Sequence, residues 1–274
     1  MSLLLDLHTH SKFSGDSRLE PREIIRLARD RGLNGVAITD HKTVRSGLLG
    51  GEINTDPRFH LIPGVEYATE YGHVVGLFLE RELDDLPVRS DHSVPFERVV
   101  RAIHAQGGIA VLAHPFQSRL SLPVGPFAGP VRLDAVEGFN ARAGAARNPG
   151  ANAQALEFAV GNGIPAVGGS DAHLAWEVGR GLCRVDGVEP GAPDALIKEA
   201  ILAGRVTPLG RPSPRIVIPL SQITRMWNSR RFSRAPRIAV RLALAALGPV
   251  GLWLENLIRG PLQDPEEAPT DKER

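Results

Sequence analysis

The chain has 274 residues, of which 42% are hydrophobic and 23% charged, an ordinary globular composition far from the low hydrophobicity of disordered chains. Its 32 basic and 31 acidic residues leave a formal charge of +1, so no global field draws it to nucleic acid or an anionic membrane. A single cysteine, Cys183, excludes an internal disulfide, a CxxC zinc site and a thiolate cluster, and it makes the reducing cytoplasm the expected location.

The N-terminal MSLLLDLHTHS lacks the basic start and long apolar run of a signal peptide. From Leu3 to about Val206, short apolar runs alternate with helical patterns, as β–α units do around a parallel sheet or barrel. The first expected strand, 3–7, runs into Asp6-Leu7-His8-Thr9-His10. A helix over 21–31 follows, with Pro21 at its first position and Gly32 at its stop. Strand 35–39 ends in Thr39-Asp40-His41, and strand 59–65 leads to Gly64-Val65-Glu66. Strand 73–79 opens on His73. A helix over 96–105 stops at Gly107-Gly108, and strand 109–113 runs into Ala113-His114-Pro115. Strand 133–138, helix 151–162, strand 165–169 with its ending Gly169-Ser170-Asp171-Ala172-His173, and helix 193–202 complete the set. Most of these strands are apolar throughout, which implies burial on both faces.

The character changes near Gly210. Three nearby prolines lead to Arg215, Arg225, Arg230, Arg231, Arg234, Arg237 and Arg241 with no intervening acid, then to the apolar run LALAALGPVGLWL. Those 13 residues fall short of the ~20 that span a bilayer, and Gly248-Pro249 breaks helical continuity. A helical extension over 211–260 is expected to pack on the barrel or in a homodimer. Secondarily it touches an anionic membrane surface, with Trp227 and Trp253 at headgroup level. The acidic, Pro-containing residues 261–274 are expected to be disordered.

Ligand-type residues gather where the strands stop. In a barrel of parallel strands the C-terminal face carries the active site, so five such endings converge on one pocket. His8 and His10, two apart on an extended strand, point the same way, and so do Asp171 and His173. A His/carboxylate set without thiolates suits Zn²⁺, Mn²⁺ or Fe²⁺, and such a site can activate water and neutralise phosphate charge together. That combination is the chemistry of phosphoester hydrolysis. His60, His92 and His104 lie outside the endings and need no function. His73 opens a strand that would start away from the site, so it is either a metal ligand or a structural histidine. Asp6 and Asp40 alternate away from their neighbours and read as supports. Arg119, just after AHPF, and Arg142, in FNAR beside Asn140, are the candidate substrate-binding groups, because a phosphate needs fixed donors besides metal. The competing readings are surface arginines and a turn asparagine.

In this order DLHTHS, ITDHKT, GVE, AHP and GGSDAH make the chain resemble the polymerase and histidinol phosphatase (PHP) domain family over roughly Leu3 to Val206. The resemblance implies an α/β fold, a distorted (β/α)7 barrel over residues 1–210. It also implies two or three divalent metal ions (Mn, Zn or Fe) at the strand C-termini. Residue by residue, His8, His10 and Asp171 would hold a first metal, and Glu66 would bridge it to a second bound by His114, with His73 a further candidate. A third would use His41 and His173 with Asp16, where the histidinol-phosphatase branch often has histidine. Glu66, Asp171 and His173 would act mainly through metal-bound water, and His41 or His173 could protonate the leaving oxygen if the third metal is absent. The expected enzyme is a small stand-alone phosphoesterase acting on nucleoside 3′,5′-bisphosphates or trimming short oligonucleotides from the 5′ end. A histidinol-phosphate phosphatase is the second reading, and a non-catalytic scaffold is the third.

Overall fold

Each expected strand forms close to its expected bounds: β1 Ser2–Thr9, β2 Gly35–Ile38, β3 His60–Thr69, β4 Gly72–Leu77, β5 Ile109–Ala113, β6 Ala135–Asn140 and β7 Ala166–Gly169. This is a computed structural model that describes residues 1–117, 131–145, 148–251 and 254. Arg119, Trp253 and the acidic tail over 261–274 lie outside the described residues. Two strands were not anticipated, β8 Gly181–Asp186 and β9 Val206–Gly210. β8 alternates buried and half-buried residues and pairs antiparallel with β1, placing Leu3 opposite Val185 and Leu5 opposite Cys183.

The nine strands form one sheet in the order β7-β6-β5-β4-β3-β2-β1-β8-β9. β9 lies back against β7 and β6, which curls the sheet into a nearly closed barrel. The expected parallel arrangement holds for β1–β2–β3 and β5–β6–β7. It fails for β4, which runs antiparallel to both β3 and β5. The reason is length: only Glu70 and Tyr71 separate Thr69 from its partner Gly72, whereas a parallel return needs a crossover of about a dozen residues or more. Gly72 takes φ 107°, which closes that hairpin.

The helices follow their apolar spacing. α1 (Pro21–Asp30) starts at Pro21 and buries Ile24, Ile25 and Ala28 against β1 and β2. Two single turns, α2 (Arg45–Leu48) and α3 (Gly50–Ile53), precede α4 (Phe96–His104), which turns Phe96, Val99, Val100 and Ile103 onto the sheet. Each such side chain contributes about 1.5–3 kcal/mol on full burial. α5 (Ala151–Gly161) buries alanines at positions 151, 155 and 159, and α6 (Asp194–Leu202) buries Ile197, Ala200 and Ile201. Inside the barrel pack Leu5, Leu7, Ile62, Leu77, Val111, Val167 and Cys183. The Gly168-Gly169 pair of β7 permits closure: a Cβ on Gly168 would strike the carbonyl of Leu182, and one on Gly169 would strike His8 and Glu137.

The C-terminal extension forms α7 (Val217–Asn228) and α8 (Ala235–Ala246). Among the described residues no helix is long and apolar enough to cross a membrane. Trp227 and Phe232 meet edge to face at 5.8 Å and remain exposed, as do Val240, Leu247 and Val250.

Candidate metal centre

β1 delivers His8 and His10 side by side, with their Nε2 atoms 3.1 Å apart. The opposite nitrogens are already engaged. His8 Nδ1 meets Glu137 Oε1 at 3.1 Å, and His10 Nδ1 meets Ser14 Oγ at 2.8 Å. Ser14 Oγ spends its own proton on Asp40 Oδ1 at 2.9 Å, so it accepts from His10 and the His10 proton sits on Nδ1. Two neutral imidazoles so held would face each other through bare Nε2 lone pairs, an arrangement that a cation or a proton between them relieves.

The other strand ends supply the remaining donors. Glu66, 1% exposed on β3, collects five imidazoles: His73 at 2.7 Å, His41 at 3.0 Å, His114 at 3.1 Å, His10 at 3.4 Å and His8 at 3.6 Å. Asp171 lies past β7 at φ 55° and His114 past β5 at φ 29°, backbone conformations that cost energy and aim both side chains inward. Asp171 Oδ1 is 3.3 Å from His10 Nε2 and 3.9 Å from His8 Nε2. Asp16 comes from the loop after the short turn Lys12–Ser14. Its Oδ2 is 3.3 Å from His41 Nε2 and its Oδ1 is 3.4 Å from His173 Nε2. That Oδ1 is buried without a hydrogen-bond partner. Four donor groups result: His8–His10–Glu66, Glu66–His73–His114, His8–His114–Glu137 and His10–His41–His173. A nitrogen and oxygen donor set of this kind, with an orphaned carboxylate oxygen and opposed imidazole lone pairs, fits divalent metal ions.

Every ligand-type residue expected from the strand endings converges here, and so does His73. Because β4 runs antiparallel, its first turn lies beside Ala113 at the C-terminal ends of β3 and β5. The substrate-binding expectations for Arg142 and Asn140 are corrected, whereas Arg119 lies outside the described residues. Arg142 is 6% exposed, and its guanidinium binds both carboxylate oxygens of Glu177 (2.9 and 3.1 Å), Ser221 Oγ (3.2 Å) and the Val217 carbonyl (3.3 Å). Burial works against its charge, but Glu177 overrides burial and raises its pKa. Four of its five N–H donors are thus engaged inside the protein, which leaves no paired fork to clamp a phosphate. Asn140 is buried, donating to Glu137 Oε2 at 2.9 Å and accepting from the Ala143 amide at 2.8 Å. It orients Glu137 and does not face solvent.

Glu137 itself was missed. It receives the His114 amide at 2.9 Å as well as the His8 ring. Its one signal was a charge inside the otherwise apolar run AVEGF. Glu177, whose Oε2 accepts the His173 amide at 3.2 Å, gave none. Asp40 is fully buried and gathers Ser11, Ser14 and Ser46, while Asp6 receives the amides of Ser170 and Gly179 and is pushed up to about 6 by burial. Both are the supports expected of them.

The electrostatics of the metal-free cluster follow from this crowding. Burial opposes charge on His8, His41 and His114, yet the carboxylates win: Glu137 and Glu66 raise His8, Asp16 and Glu66 raise His41, and Glu66 raises His114. His10, lowered to about 3 by burial and by the neighbouring His173, stays neutral. A metal ion must displace the protons held on the raised imidazoles. Metal addition to the metal-free chain is therefore expected to release protons, and affinity to fall as pH drops below the raised imidazole range. Calorimetric titration in buffers of different ionisation enthalpy checks this, and a proton release of zero at neutral pH would contradict it.

The PHP domain family model matches residues 6–112, and a PHP-associated model matches residues 149–206. An uncharacterized protein of Methanocaldococcus jannaschii is 35% identical over 146 residues, covering 50% of this chain and 81% of that protein. A second uncharacterized protein of that organism is 30% identical over 204 residues, covering 72% and 77%. The crystal structure of a two-domain protein of Bacteroides vulgatus, containing a predicted PHP-like metal-dependent phosphoesterase, superposes with a TM-score of 0.62 at 19% identity. That match covers 77% of this chain and 65% of the other.

Proposed function

Because the chain belongs to the PHP domain family, we propose that it hydrolyses phosphomonoesters of nucleotides or short oligonucleotides with the aid of divalent metal ions. The observation that carries this reading is the pair of His8 and His10 Nε2 atoms, 3.1 Å apart, beside Glu66, Asp171 and the orphaned oxygen of Asp16. His8, His10, Glu66 and Asp171 would hold one ion, Glu66, His73 and His114 a second, and Asp16, His41 and His173 a third. Bound there, the ions supply an activated water and neutralise phosphate charge.

The protein's own residues do the rest. Glu137 and Ser14 fix the ring orientations of His8 and His10, and Asp40 fixes Ser14. With the third locus empty, His41, 28% exposed and favouring its protonated form through Asp16 and Glu66, would hand a proton to the leaving oxygen. The nucleotide reading is supported by Phe13, in the turn between Ser11 and Ser14, with Arg45 at 5.0 Å and Lys12 at 5.5 Å from its ring. An aromatic face flanked by cations suits a base that carries phosphate.

Turnover screening of the Mn²⁺-loaded protein against nucleoside 3′,5′-bisphosphates, short 5′-phosphorylated oligonucleotides and histidinol phosphate tests the proposal, with a chelated control. Nucleotide turnover that the chelator abolishes is the expected result. Turnover of histidinol phosphate alone would replace the substrate class, and full metal content without turnover of any ester would make the protein a scaffold.

A further inference from the structure

α7 begins eleven residues after the PHP-associated match ends at residue 206, yet one end binds Arg142, whose partner Glu177 holds the His173 amide, and the other reaches the segment that carries Asp16. At its N-terminal end the Val217 carbonyl and Ser221 Oγ accept from the Arg142 guanidinium at 3.3 and 3.2 Å. Arg142 grips both oxygens of Glu177, and Glu177 Oε2 holds the His173 amide at 3.2 Å. At its C-terminal end Asn228 Nδ2 donates to the Gly15 carbonyl at 2.8 Å, one residue before Asp16. Ser17 Oγ donates to the His173 carbonyl at 3.0 Å and ties the two segments to each other. The helix is seated, with Val217, Pro219 and Ser221 buried. Eleven residue steps at 1.5 Å make it span about 16 Å between those contacts.

We propose that α7 is a structural wall of the metal centre, which sets the separation of Asp16 from His173 and so governs occupancy of the Asp16–His41–His173 locus. The inference rests on the metal-centre reading above. His8 and Glu66 sit on strands β1 and β3, and His10 directly follows β1 with its amide on the Ala172 carbonyl, so the barrel holds all three. Asp16 is different, because it sits in a loop after the three-residue turn Lys12–Ser14 and its Oδ1 has no hydrogen-bond partner of its own. Groups on loops are placed less accurately than groups on strands unless neighbours hold them. Here the neighbours are Asn228 on one side and Ser17 with His173 on the other. The locus nearest α7 therefore depends on a helix that neither family match includes.

The test uses the full chain with Ser221→Ala and Asn228→Ala combined, since neither residue is a metal ligand. Metal titration followed by calorimetry is expected to show one locus, that of Asp16, His41 and His173, losing affinity about 10- to 100-fold, while the other loci stay within about twofold. In the metal-free chain, hydrogen exchange is expected to accelerate over residues 11–17 and 171–177 and to stay unchanged over β3 and β4. Exchange needs neither metal nor substrate, so its outcome is independent of whether the phosphoesterase reading stands. Unchanged exchange in both segments would overturn the proposal. So would a parallel weakening of all loci with protection lost throughout the barrel, which would make α7 a general stabiliser only.

Discussion

Glu66→Gln is expected to lower turnover by about 10³-fold, because partners one step removed from a metal already cost 10- to 100-fold and Glu66 lies against five imidazoles at once. The change keeps the shape of the side chain and removes its charge. Glu66 is held well below the usual carboxylate range: burial opposes its charge, and His73, His8 and His41 override burial. A carboxyl with a depressed pKa contributes stability that is present above its unfolded value and lost as pH falls through the folded one. In the metal-free variant that contribution disappears, and the imidazoles of His41 and His114 lose the charge that favours their protonation. Proton release on metal addition should shrink accordingly. Metal content, kcat and proton release measured on the same preparation check all three, and wild-type kcat with full metal content would remove Glu66 from the centre.

Arg142→Ala is expected to destabilise the protein by about 3–5 kcal/mol, the cost of leaving one partner of a buried ion pair alone. Glu177 is fully buried, with both carboxylate oxygens on Arg142 and one of them also on the His173 amide. Arg142→Lys should recover little, because an ammonium cannot reproduce the paired donors. Denaturant unfolding of Arg142→Ala, Glu177→Gln and the double variant gives the coupling directly. In the folded fraction KM should stay near the wild-type value. Raised KM with unchanged stability would return Arg142 to the role of an anion clamp.

The contrast between His8 and Arg142 shows where sequence reading reaches its limit. His8 and His10 were assigned to one ion from spacing alone, since a strand alternates its side chains whatever the rest of the fold does. Arg142 sits two residues past Asn140 at the end of β6, so its position beside the site was legible too. What its guanidinium binds was not. Its partners lie 35 residues away at Glu177 and 79 residues away at Ser221, and only the folded chain brings them within reach. Glu137 was overlooked for the complementary reason: a carboxylate in an apolar strand looks unfavourable until the His8 ring and the His114 amide are seen to satisfy it.

By itself the sequence determined most local elements and, Glu137 apart, the residues that gather at the site. Apolar runs, Pro21 at a helix start and glycine stops marked strands and helices within a few residues. The ordered endings DLHTHS, ITDHKT, GVE, AHP and GGSDAH identified the family and its barrel. These signals are local, because backbone geometry and side-chain periodicity act over a few residues. The tertiary structure alone decided strand direction, partner choice and closure. It turned β4 antiparallel and carried His73 to the site, and it added β8 and β9 to bring the sheet edge back onto β7. It also committed Arg142 to Glu177 and tied α7 to Arg142 at one end and to Gly15, beside Asp16, at the other. Each of these depends on hydrogen bonds and burial between residues far apart in the chain, whose energy exists only after the intervening chain has folded.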